Sequence, residues 1–160
     1  LLYPEGELAA AQIEAAVLNV ARYDVFKLGE AVLSGQLLRA QRMLDGLQAE
    51  GESEVMVHYT LAEDIRALKR VREALDAGRP MPVALREQRI WGPRERLFER
   101  ALPQLTDAVL TELLHAAHLV DGIAKGIPAA GWPATGWQAL HQLALNLATA
   151  CSTGKTRLAV

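Results

Sequence analysis

The stretch ARYDVFKLGEAVLSGQLLRAQRMLDGL, residues 21–47, contains two apolar stripes at helical spacing, separated by Ser34 and Gly35. Residues three or four positions apart lie on one face of a helix, so each stripe predicts an amphipathic helix. Glycine commonly ends a helix because it readily adopts a left-handed backbone conformation. The stretch therefore predicts two helices joined by a tight turn. Their apolar residues are Val25, Leu28, Val32 and Leu33 in the first, and Leu37, Leu38, Met43, Leu44 and Leu47 in the second.

Upstream of this stretch, a further helical pattern covers residues 8–20. Its apolar spacing ends before Arg22, and Asp24 is a good helix-capping residue. We therefore expect the first helix to stop before Arg22 and a second helix to begin at Asp24.

Downstream, the helical pattern continues almost to the end of the chain. Ser53 is placed to cap the longest helix and Thr106 to cap a later one, while a final helix is expected over residues 137–151. Shorter helical segments fill most of the space between them. The total of seven or eight helices with short connectors predicts an all-α helical bundle.

Composition agrees with this fold class. Of the 160 residues, 51% are hydrophobic, mainly Leu and Ala, and only 5% are aromatic. That mixture favours helix over sheet, and no long alternation of apolar and polar residues predicts a strand. The length suits one ordinary domain, or one domain with a fragment of a neighbour.

Charge is distributed unevenly, although the net charge is only −2. Residues 1–65 hold 4 Lys/Arg against 11 Asp/Glu, whereas residues 66–100 hold 10 Lys/Arg against 5 Asp/Glu. A basic segment of this kind can contact phosphates or an acidic partner. A solvated helix face is the commoner explanation of such a segment.

The expected location is the cytoplasm. No apolar run approaches the ~18 residues that a membrane span needs, and no signal-peptide pattern is present. The single cysteine, Cys151, cannot form a disulfide within the chain. The chain opens with Leu-Leu-Tyr-Pro and no Met, so we expect a longer protein to precede it.

No segment has the spacing of a catalytic site. Gly154-Lys155-Thr156 resembles the end of a phosphate-binding loop, but the first glycine of that motif is absent and no helix follows. Cys151 lies nearly three helical turns from His141, too far for a nucleophile–base pair on one helix. Adjacent acids such as Glu63 and Asp64 are expected on an exposed surface.

Glu112, His115 and His118 share a helical face, as ligands do in di-iron bundles. Such sites need a second Glu-x-x-His pair, and neither His58 nor His141 has a Glu three residues before it. A surface or subunit face is therefore preferred to a metal-dependent bundle enzyme, and no cofactor is expected.

The aromatic residues give two expectations. Trp91 and Phe98 are expected to pack in the core where helices meet. Trp132 lies between Gly131 and Pro133 in a loop, where it can either stack on a nucleic-acid base or fold back onto the end of the bundle.

Several segments in this order resemble the C-terminal part of the delta subunit of the bacterial DNA polymerase III clamp loader. They are residues 21–47, Thr60-Leu61-Ala62-Glu63 in the long helix, Arg89-Ile90-Trp91-Gly92-Pro93-Arg94, and the terminal helix over 137–151. In that family an AAA+ N-terminal domain contacts the sliding clamp, a small helical lid domain follows, and a helical collar domain comes last. The resemblance implies that residues 1–22 end the lid domain. Residues 23–160 then form the collar, with a disordered tail from about residue 152.

The resemblance also implies a non-catalytic role in DNA replication. The collar packs with the motor (tau/gamma) subunits and delta prime in a five-membered ring, and delta has no ATP site. The sliding clamp would be contacted only by the N-terminal domain, upstream of this chain, while primer–template DNA is bound in the assembled complex. The competing hypothesis is a helical protein–protein adaptor unrelated to replication.

Two sets of residues are candidate contact sites under this resemblance. The loop before the last collar helix lies near the primer–template junction in the family, so Trp132 is expected to stack on a base there, contributing roughly 1–3 kcal/mol. Arg66, Lys69, Arg70 and Arg72 are available to contact a neighbouring subunit or DNA phosphates.

Overall fold

A computed structural model of the protein describes residues 5–156, and all its regular structure in this range is helical. Seven α-helices and one 3-10 turn are joined by short connectors, which confirms the predicted all-α bundle. The helices are α1 (Glu5–Leu33), α2 (Leu37–Ala49), α3 (Glu54–Asp76), α4 (Met81–Glu87), α5 (Pro93–Ala101), the 3-10 turn (Leu102–Gln104), α6 (Asp107–Ala124) and α7 (Gly136–Thr153).

The last helix, α7, lies at the centre of the bundle and contacts α1, α2, α3 and α6. It buries most of its Leu and Ala side chains, including Leu140, Leu143 and Leu147. Small alanines between these leucines allow neighbouring helices to approach from several sides. The Leu- and Ala-rich composition of this segment is thus explained by its burial over most of its surface.

Two of the predicted capping residues, Ser53 and Thr106, act as caps in the structure. The hydroxyl of Ser53 accepts a hydrogen bond from the backbone N–H of Met56 at 3.4 Å, and that of Thr106 from Val109 at 3.2 Å. Gly35 follows α1 with a φ of +74°, as the helix-ending role requires. These local signals fix the starts of α3 and α6 and the end of α1.

The predicted break before Arg22 is wrong, because α1 is one continuous helix of 29 residues. Asp24 lies inside it instead of capping a new helix. Tyr23 and Asp24 carry no Gly or Pro beside them, and Lys27 lies 5.3 Å from the Tyr23 ring centre and 3.1 Å from the Glu30 carboxylate. Such interactions one turn apart favour continued helix over a break.

The two halves of α1 differ in burial. Between Gly6 and Val20, every side chain that the structure describes is exposed, whereas Ala21, Val25 and Leu28 are buried in the core. We call residues 6–20 the arm. The bundle core therefore begins at Ala21, and the arm projects from it.

At the other end, α7 extends two residues beyond the predicted 137–151 helix. Gly154 then adopts a left-handed conformation, φ +70°, and a Cβ atom there would lie 2.7 Å from the Gln104 carbonyl oxygen. The Thr156 hydroxyl donates to Glu112 at 2.9 Å. Gly154 and Thr156 thus contact the bundle, and the rest of the expected tail, 157–160, lies outside the described residues.

Candidate functional site

The four basic residues predicted as a contact surface all lie on α3, and each is paired with acids of the same chain. Arg66 and Arg70 share the Glu63 carboxylate, at 3.3 and 3.0 Å. Lys69 lies 2.6 Å from Asp107 and 2.9 Å from Glu73, and Arg72 lies 3.0 Å from Asp76. Their charges are largely compensated within the molecule.

Two of these cations also join elements of the bundle. Lys69 connects α3 to the first turn of α6 through Asp107, and Arg72 donates to the backbone carbonyl of Leu102 at 3.2 Å. Arg66 and Arg70 are more exposed. Burial raises the pKa of Glu63, but hydrogen bonds from Arg70 and Arg66 outweigh it and leave the pKa below its usual value. Glu63 therefore remains ionised opposite both arginines.

The three aromatic residues with predicted positions lie in different environments. Trp132 is half-buried and packs against the core at the end of the bundle, which is one of the two alternatives for it. Phe98 is fully buried, as predicted, but Trp91 is 57% exposed, so its predicted burial is wrong.

The reason lies in the turn between α4 and α5. Arg89 and Gly92 both have positive φ, +57° and +60°, and the two residues between them have no regular secondary structure. In this turn Ile90 enters the core and Trp91 faces solvent. A non-glycine residue with positive φ is uncommon, and no local pattern around Arg89 predicts it.

An ion pair that the sequence reasoning missed lies beneath this turn. Asp64 was expected on the surface but is only 3% exposed, and its Oδ1 accepts a hydrogen bond from Arg94 at 2.7 Å. The Arg94 guanidinium also lies 5.3 Å from the Phe98 ring centre. Arg94 thus connects the start of α5 to the middle of α3.

Gly29 provides the space for this pair. A Cβ atom at position 29 would lie 3.0 Å from the Asp64 Oδ2, closer than ordinary van der Waals contact allows. Gly29 belongs to the 21–47 stretch and Arg94 to the Arg89–Arg94 segment, two of the four segments that carry the resemblance. The carboxylate of Asp64 brings them together in three dimensions.

Burial dominates the chemistry around Asp64. It raises the pKa of Asp64, against the opposing effect of the Arg94 charge. Burial also raises the pKa of the Cys151 thiol to about 12, with a further contribution from the nearby Asp64 charge. Because the thiolate is the nucleophilic form, Cys151 is an unreactive core thiol.

The residues of the candidate metal and phosphate motifs have other contacts and roles in the structure. In the described part of the chain, no three His, Cys, Asp or Glu side chains lie close enough to hold a metal ion. Glu112 accepts the hydrogen bond from Thr156, and Gly154 ends α7 in a left-handed conformation. Among residues 5–156, no helix is long and apolar enough to cross a membrane.

Comparisons with known proteins give a consistent result. No known family's sequence model matches the chain. The DNA polymerase III subunit delta of Escherichia coli is 29% identical over 120 residues, which is 75% of this chain and 34% of that protein. The subunit delta of Haemophilus influenzae is 27% identical over 133 residues, 78% of this chain and 39% of that protein.

The matched region spans little more than a third of either relative's length. Within that limit the similarity confirms the resemblance predicted from the sequence, and the chain is similar to the bacterial DNA polymerase III delta subunits over about three quarters of its length.

Proposed function

We propose that this chain is the collar part of a clamp-loader delta subunit in DNA replication. It would pack with the motor (tau/gamma) subunits and delta prime, so that the assembled complex can load the sliding clamp on primed DNA. The observation that carries this proposal is the similarity to two delta subunits over three quarters of the chain. The all-α bundle agrees with the helical collar that the resemblance implies.

The domain assignment within the chain is part of the proposal. Residues 1–22 would end a lid domain and residues 23–160 would form the collar. Its support is the change in burial at Ala21, together with the exposed Ile13, Val17 and Val20, which follow helical spacing on the arm. A neighbouring lid domain would cover this apolar stripe.

The proposed role is structural, not catalytic. In this chain the only sequence that resembles a phosphate loop is Gly154-Lys155-Thr156, and its glycine serves as a helix end. The sliding clamp would be contacted by a separate N-terminal domain. A cytoplasmic location follows from the role in replication and belongs to the proposal.

The assembly role can be tested by native mass spectrometry of this chain mixed with the motor subunit and delta prime of the same organism. Incorporation of one copy into a five-subunit complex is the expected result. If folded partners assemble without this chain, the adaptor hypothesis replaces the collar assignment.

We further propose that Trp132 contacts the primer–template junction in the assembled loader. Its support is a half-buried ring at the end of the bundle, in the loop just before α7, whose exposed part is available for stacking. Trp132→Ala should weaken primer–template binding by the loader roughly tenfold, whereas Trp132→Phe should retain most of it. Equal affinity of all three proteins would exclude this contact.

For the α3 cations, internal pairing favours a contact with a neighbouring subunit over one with DNA phosphates. Arg66 and Arg70 are the appropriate residues for a test, because Lys69 and Arg72 also join elements of the bundle. If Arg66→Glu and Arg70→Glu together changed neither assembly nor the salt dependence of DNA binding, these residues would be only a solvated face.

A further inference from the structure

A small cavity lies between α1 and α2, where the arm joins the bundle. It is lined by Asp24 of α1 and by Met43, Gly46, Leu47 and Glu50 of α2. Its volume is about 190 Å³, below the roughly 300–1,000 Å³ that is usual for small-molecule pockets. A space of this size suits one protein side chain better than a separate small ligand.

The lining of this cavity is part apolar and part acidic. Met43 and the buried Leu47 supply apolar surface, and a Cβ atom at Gly46 would have no atom within 4 Å. Asp24 and Glu50 bring one carboxylate from each helix. Lysine and arginine are the complement of such a lining, because their hydrocarbon stems pack on apolar surface while their charged ends pair with carboxylates.

The described part of the chain brings no cation of its own into this cavity. Lys27, one turn beyond Asp24, pairs with Glu30 at 3.1 Å, and Arg22, Arg39 and Arg42 are exposed outside the lining. These four are the only Lys or Arg residues among residues 1–65, which also hold 11 Asp/Glu. A basic group in the cavity therefore has to come from elsewhere.

The cavity continues the apolar stripe of the arm. Ile13, Val17 and Val20 are exposed along the arm, and Asp24 follows Val20 by four residues on the same helix. Residues at this spacing share one helical face. A domain that covers the stripe would therefore reach the cavity at the base of the arm.

Charge narrows the choice of occupant. The carboxylates of Asp24 and Glu50 would repel a phosphate backbone, so this face is a poor nucleic-acid site. A symmetric dimer of this chain through the same face would bring the acidic residues of two copies together, which is also unfavourable. A basic side chain of another protein domain is the remaining complement.

Resting on the proposed function, we propose that the α1–α2 cavity holds a lysine or arginine side chain of the lid domain. The lid domain covers the apolar stripe of the arm, and its basic side chain lies along Met43 and Leu47 with its charge between Asp24 and Glu50. This contact joins the lid domain to the collar at the base of the arm, in addition to the covalent connection through α1.

The test is amide hydrogen exchange of the arm, measured by mass spectrometry on the full-length protein with its lid domain and on this chain alone. Asp24→Lys with Glu50→Lys reverses the charge of the cavity, and Gly46→Leu fills it. In the full-length protein each change should speed exchange of the arm amides at least about fivefold, because a released lid domain exposes the arm to solvent. In this chain alone neither should change it.

The matched control is Glu95→Lys with Glu99→Lys on α5, which makes the same charge change outside the cavity lining and should leave exchange of the arm unaltered. Circular dichroism verifies that every variant is folded. Unchanged exchange in the full-length cavity variants overturns the inference. Equal acceleration in the full-length protein and in this chain alone also overturns it, because the substitutions would then act on the arm helix itself.

The result can be separated from the collar assignment, since the exchange measurement needs no other subunit. If the cavity variants release the arm but the chain does not join the motor subunits and delta prime, the collar assignment fails and the docked domain stands. If they lower incorporation into that complex without changing exchange of the arm, a neighbouring subunit occupies the cavity and this inference is wrong.

Discussion

At the scale of single residues, the buried Asp64 carboxylate depends on Arg94 for its compensating charge. Removing one partner of a buried ion pair leaves an uncompensated charge, which typically costs about 3–5 kcal/mol. Arg94→Met should therefore lower the free energy of unfolding by about 3 kcal/mol at pH 7, measured by urea denaturation. Arg96→Ala, an exposed neighbour on α5, should change it by less than about 0.5 kcal/mol.

The pH dependence of this variant follows from the raised pKa of Asp64. A carboxyl group whose pKa is raised by folding contributes stability below its unfolded-state pKa and loses it as the pH rises through the folded-state pKa. Without Arg94, burial raises the pKa of Asp64 further. The destabilisation by Arg94→Met should therefore be smaller at pH 4.5 than at pH 7, and an equal loss at both values would contradict it.

Gly29 offers a second test at this scale. In a helix, glycine to alanine ordinarily stabilises by roughly 0.5–1 kcal/mol. At position 29 the new Cβ would meet Asp64, which Arg94 holds in place, so Gly29→Ala should destabilise the protein by about 1–2 kcal/mol. Gly46→Ala, on α2 with no atom within 4 Å of its Cβ, should stabilise it. Thermal unfolding of both variants measures the difference in sign.

The sequence predicted single residues well where the signal was local. Ser53 and Thr106 act through backbone groups three positions away, so the chain itself carries the information. The burial of Asp64 depends on Gly29 and Arg94, which are distant in sequence, and no periodicity reveals such a contact. Trp91 was misplaced because its direction depends on the positive φ of Arg89.

At the scale of elements, α1 is one helix with two environments. Val17 and Val25 lie two turns apart on it, at 60% and 2% exposure. Val25→Ala should cost about 2 kcal/mol of unfolding free energy, because it leaves a cavity in the core. Val17→Ala should cost nothing and gain a little from the higher helix propensity of alanine. Urea denaturation of the two variants tests whether the arm is independent of the bundle.

The continuity of α1 also shows why the apolar pattern wrongly predicted a helix break before Arg22. The apolar stripe changes near Arg22 because its surroundings change there, from solvent around the arm to the core of the bundle. That change resembles a helix end in sequence, although the backbone continues. The prediction identified the boundary between environments and misread it as a boundary between helices.

At the scale of the whole molecule, one core cluster includes buried residues of all seven helices. Cys151 belongs to it, with a pKa of about 12 and little exposure. Modification by a thiol reagent should be at least about a hundredfold slower in native buffer than for a free cysteine, since it requires opening of the core. Its rate in rising urea should follow the loss of far-UV circular dichroism. Fast native labelling would contradict the burial.

The arm has a mechanical consequence. With a rise of about 1.5 Å per residue, its 15 residues reach about 22 Å beyond the core. No glycine or proline lies between Glu7 and Leu28, so α1 has no residue in this range at which helices commonly kink. A tilt of the helix axis by roughly 5° where the arm leaves the core would move the tip of the arm by about 2 Å. The packing of Val25 and Leu28 in the core would therefore set the position of any domain attached to the tip of the arm.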